Sequence, residues 1–157
     1  MHRHVNYYLA ITLVVTVGWV PMPNTFFASV ADAQQRYQED PKLRKSRARQ
    51  ALTQAMTLNA QVEIMLNQGS DKIDKMVQML SQSYGYQVTA IAQAEGIVRE
   101  AKFKDPMMER GILEMYTTGK PPTMEAQTQI KTGDYGSALG SLAGAKQTHR
   151  KFMTLLY

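Results

Sequence analysis

The chain has no cysteine in its 157 residues. That absence excludes disulfide bonds, thiolate metal sites, lipid attachment at an N-terminal cysteine and covalently attached c-type haem. Histidine is nearly as scarce. Only His149 lies beyond residue 33, so neither a cysteine-histidine pair nor a multi-histidine metal site can be built from one copy. A Ser-His-Asp triad is arithmetically possible, but no serine sits in a strand-turn-helix elbow. Carboxylates such as Glu109 and Glu114 fall on a short segment where solvation accounts for them. The sequence therefore predicts a non-enzymatic protein. Period-two alternation and β-branched runs are also missing, which excludes an extended sheet.

At the N-terminus, His2, Arg3 and His4 precede an apolar stretch from Leu9 to Val20, which breaks at Pro21 and Pro23 and closes on Ala31-Asp32-Ala33. This is the build of an export signal cleaved at a small-x-small site, predicting removal of residues 1–33. Twelve residues from Leu9 to Val20 fall short of the roughly 20 that a spanning helix needs, so no transmembrane segment is expected after cleavage. The protein is thus expected in the periplasm or the secreted fraction. Residues 34–157 suit one domain, expected to be all-helical. Loss of Arg3 and Asp32 leaves the net charge of +5 unchanged, a balance that favours anionic partners without specifying nucleic acid.

Beyond the leader, Ala, Gln, Met, Leu, Lys and Glu dominate, and apolar residues recur at helical spacing. Ala48, Ala51, Leu52, Ala55, Leu58, Val62, Met65 and Leu66 predict a helix over 41–67, stopped by Gly69. Ser70 or Asp71 then caps a second helix with Ile73, Val77, Leu80, Tyr84, Gln87, Ile91, Ala94, Val98 and Ala101 on its seam. Gln87 alone breaks that seam. Asp105-Pro106 starts a short helix ending at Gly119, and Lys120-Pro121-Pro122 forms a stiff connector before a brief helix capped by Thr123. Gly133-Asp134 introduces a last helix whose core face is Ala138, Leu142, Ala145, His149, Phe152 and Leu156. The expected fold is an elongated all-α bundle, built on a long antiparallel hairpin with shorter C-terminal helices packed on it.

Three features could carry function. Lys42, Arg44, Lys45, Arg47 and Arg49 crowd the start of the first helix, where the macrodipole disfavours cations. They read either as a solvated end or as a contact for an anionic envelope surface. Gly136, Gly140 and Gly144 leave one side of the last helix almost bare, suited to close helix packing within the chain or to self-association. Eleven methionines, with His149, offer thioether and imidazole ligands for Cu(I) or haem iron, besides their commoner use as core filler.

Met56 on the first helix and His149 on the last form the concrete pair. Export, a helical bundle, this pair and a last helix begun by Gly133-Asp134 together resemble the exported four-helix b-type cytochromes. That resemblance implies a haem b held without covalent attachment, and electron transfer. The stretch Gly133-Asp134-Tyr135, Ala138-Leu139, Leu142 and Ala145 is similar to the second helix of a tetratricopeptide repeat, with half of one repeat matched. The expectation from the residues themselves is a binding module with a protein partner or a second copy, and no cofactor. Its alternatives are the haem-binding electron carrier and an accessory component of an envelope secretion or surface-fibre assembly.

Overall fold

Asp40 accepts a hydrogen bond from the Lys42 N–H at 2.9 Å, and Pro41 supplies the first helical residue, so α1 (Pro41–Asn67) begins as a capped helix. It ends where Gly69 adopts φ 65°, a conformation open to a residue without Cβ, and the Ser70 N–H reaches back to the Met65 carbonyl. The computed structural model describes residues 40–101 and 105–157, which belong to one unit, Glu39–Tyr157. The expected leader, residues 1–33, lies outside the described residues.

The second helix, α2 (Ile73–Glu100), folds back along α1: Arg44 meets Glu100 at 2.8 Å, and the Ser83 hydroxyl donates to the Ala55 carbonyl at 3.1 Å. The expected caps are displaced. Lys72 holds the cap position without a side-chain bond, because the Asp71 carbonyl takes the Ile73 N–H and Ser70 Oγ makes only a 3.4 Å contact with the Lys72 N–H. The buried stripe is also rotated relative to the sequence seam. Met76, Met79, Ser83 and Ala90 lie inside with Leu80, Gln87, Ile91 and Ala94, while Val88 is exposed.

Asp105 caps α3 (Pro106–Glu114) through the Met108 N–H at 3.0 Å. The helix was expected to stop at Gly119 and does not. It passes through a π-helical turn, Met115–Gly119, directly into α4 (Lys120–Lys131), with Gly119 helical at φ −92°, ψ −52°. Pro121 and Pro122 follow closely on this π-helical turn, and the widened turn accommodates two residues that cannot donate to the carbonyls before them. Thr123 is therefore interior to the helix and buried, not a cap.

After Gly133 at φ 79°, Asp134 accepts from the Ser137 N–H at 3.1 Å and opens α5 (Tyr135–Leu155). This helix runs opposite to α1. Lys146 pairs with Glu63 at 3.1 Å, and the Arg49 guanidinium lies 4.9 Å from the centre of the Tyr157 ring. All six residues expected on its core face are buried. The result is an all-α bundle with no strand among the described residues. No helix of those residues is long and apolar enough to cross a membrane.

The core divides into two apolar clusters that share no residue. One contains Leu52, Ile91, Met108, Met115, Phe152 and Leu156; the other contains Val62, Met76, Leu80, Ala126, Ile130 and Leu142. Each fully buried Leu, Ile, Met or Phe contributes about 1.5–3 kcal/mol, so the clusters carry the fold. Between them, on every long helix, lies a level that includes buried polar residues.

Candidate functional site

Among the described residues, the buried polar ones are Asn59, Ser83, Gln87, Thr123, Thr148 and His149. In each helix they fall between members of the two clusters: Asn59 between Leu52 and Val62, Ser83 and Gln87 between Leu80 and Ala90, Thr123 between Met115 and Ala126, and Thr148 and His149 between Leu142 and Phe152. They form a polar belt across the bundle. Part of it is paired within the chain: Gln87 Nε2 donates to Thr123 Oγ1 at 2.9 Å and to Ser83 Oγ at 3.3 Å, though Gln87 Oε1 has no partner among the described residues, and the Thr118 and Thr148 hydroxyls lie 3.2 Å apart. This explains the one polar residue on the α2 seam.

The other part of the belt is not satisfied. Both amide atoms of Asn59 are buried without a hydrogen-bond partner among the described residues, and the equally buried His149 ring has only the Gly119 carbonyl as a backbone acceptor. Leaving a buried polar group unpaired costs about 1–3 kcal/mol, so the Asn59 amide calls for a reason. Burial pushes His149 down to about 4, and the Gly119 carbonyl acts against that shift as a backbone acceptor. The imidazole is neutral at pH 7 and offers one donor and one acceptor nitrogen.

Asn59 and His149 share a cleft of about 560 Å³ between α1 and α5. Met56, Ala60 and Met153 supply apolar wall, and the Glu63–Lys146 ion pair and Arg150 stand at its polar edge. Residues 53, 56, 57, 60 on α1 and 146, 149, 150, 153 on α5 repeat at three- and four-residue steps, so each wall is one helix face. Met56 and His149, paired in the sequence reading, are thus brought to one cleft. Asn59 and Met153 were missed there, Asn59 because an amide gives no periodic signal on an apolar face. No group of three or more histidine, cysteine or carboxylate ligands occurs among the described residues.

The remaining sequence candidates lie elsewhere. Arg44 and Arg49 of the basic group are held by the chain itself, through Glu100 and Tyr157. Gly136, Gly140 and Gly144 are exposed, and a Cβ placed on any of them would meet nothing within 4 Å. The close approach expected of that stripe occurs instead at Gly111, where a Cβ would run into Leu155 and approach the Phe152 ring to 3.1 Å. Nothing in the sequence around Gly111 signals this, since the contact comes from α5. No family model, curated protein or solved structure matches the chain.

Proposed function

We propose that this chain is an exported, non-enzymatic binding protein of the bacterial envelope or secreted fraction, whose ligand occupies the cleft between α1 and α5. The observation that supports this reading is the cleft itself, about 560 Å³ between two helix faces, with the buried polar side chains Asn59 and His149 in its wall. Ligand sites combine apolar walls with a few placed polar groups, and this cleft has that make-up. The bare glycine face of α5 and the basic start of α1 supply further surfaces for a second copy or an anionic partner.

The test is native mass spectrometry of the protein purified from an exporting host, beside an Ala60→Trp variant that fills the cleft. Added mass on the wild type that the variant lacks is the expected result; identical spectra would overturn the reading. The b-type cytochrome alternative is favoured by one observation, the presence of Met56 and His149 on the same cleft. It predicts a red protein with a Soret band at one haem per chain.

A further inference from the structure

Given the binding reading above, the lining of the α1/α5 cleft narrows the class of ligand by what it withholds. Thr57 Oγ1 donates to the Thr53 carbonyl at 2.9 Å and Thr154 Oγ1 to the Lys151 carbonyl at 2.6 Å, so both hydroxyl protons are used within their own helices. The side-chain nitrogen and oxygen atoms of Asn59 and His149 are sealed from solvent inside the wall. Glu63 and Lys146 answer each other at 3.1 Å. Little is left for directional hydrogen bonding. A sugar or a nucleotide, which needs several placed donors and acceptors, is a poor match for such a lining. An alkyl chain is a good one, because Met56 and Met153 are only partly buried and, with Ala60, offer it flexible apolar surface from both helices.

One charge on the lining is not spent. Arg150 is exposed and makes no ion pair among the described residues, whereas Glu63, the carboxylate of the lining, is held by Lys146. A cationic head group would meet Arg150 with no free carboxylate to answer it. A carboxylate head would meet a guanidinium, whose planar fork matches it with two parallel hydrogen bonds. The net charge of +5 biases approach in the same direction. Arg150 lies one turn before Met153 on α5, so the charge adjoins the apolar wall. At about 560 Å³ the cleft is of a size that encloses a small organic molecule. We infer that it takes a single-chain amphiphilic carboxylate of the fatty-acid class, with the alkyl chain along Met56, Ala60 and Met153 and the head group on Arg150.

The inference is tested by calorimetric titration of the exported protein with dodecanoate below its micellar range, beside decanoate and the cationic dodecyltrimethylammonium. Wild type is expected to bind one dodecanoate per chain and to prefer it to the cation. Decanoate, shorter by two methylenes, should bind about tenfold more weakly. Arg150→Gln should weaken dodecanoate binding about fivefold, whereas Lys131→Gln, an equal loss of charge outside the lining, should leave it unchanged. Equal affinity for the two head groups, or equal affinity of Arg150→Gln and wild type for dodecanoate, overturns the inference. An uncharged apolar dye separates it from the broader reading. If the dye enters wild type, and Ala60→Trp with unchanged circular dichroism expels it, while dodecanoate does not bind, the cleft reading stands and the amphiphile falls. If neither dye nor dodecanoate binds, both fall.

Discussion

Asn59 and His149 place buried polar groups between the two apolar clusters, and on the binding reading proposed above their cost to stability is offset by a ligand. Replacing Asn59 with Leu removes two unpaired polar atoms and extends apolar wall into the cleft. The variant is expected to be more stable by about 1–3 kcal/mol in urea unfolding and to lose the ligand. A lower midpoint would show that the amide is satisfied in solution. His149 sets a pH dependence. The unfolded chain takes up a proton near 6.5 and the folded chain only near 4, so the unfolded state is protonated first as pH falls. The stability is fully present above about pH 6.5 and declines toward pH 4, by on the order of 3 kcal/mol in all. His149→Gln should flatten the urea midpoint against pH between about pH 7 and about pH 5, a range above most carboxylate titration. An unchanged slope would place the titrating group elsewhere.

Among the helices, glycines divide by what faces them, not by how they are spaced. Gly111 lets α3 press on Phe152 and Leu155, so Gly111→Ala is expected to cost about 1–3 kcal/mol through overpacking. Gly140, on the open stripe of α5, is expected to behave in the opposite way. Gly140→Ala should raise stability by about 0.5–1 kcal/mol, because alanine has the higher helix propensity and nothing obstructs its methyl group. Calorimetry on the two variants checks both signs. A destabilised Gly140→Ala that also dissociates an oligomer would show the stripe packed against a second copy. The π-helical turn belongs to this scale as well. Gly119 and the proline pair read as a stop by local rules, yet packing of Met115 and Gly119 into the bundle keeps the chain helical across them.

At the scale of the molecule, the bundle has two apolar clusters with buried polar residues between them. Export, read from the N-terminal sequence, is the other proposal at this scale. The intact mass of protein recovered from an exporting host is expected to correspond to a chain beginning at Gln34, and retention of Met1 would remove the export reading. Much of the architecture was legible beforehand. The helical class, the span of α1, the Asp105 and Asp134 caps, the Gly69 and Gly133 turns and the core face of α5 follow from spacing and capping chemistry, which act within a few residues.

The candidate site was only half legible for the same reason. Met56 and His149 were visible as residue types with ligand chemistry, because the absence of cysteine and the scarcity of histidine leave few others. Sequence by itself determined which donors the chain owns. Only the tertiary structure decided which of them meet: that Asn59 and Met153 join the pair, that Gln87 is answered by Thr123, and that Gly111 is the tight contact. Local rules reach one or two turns along a helix, whereas a cleft is set by which faces of two distant helices are left opposite each other.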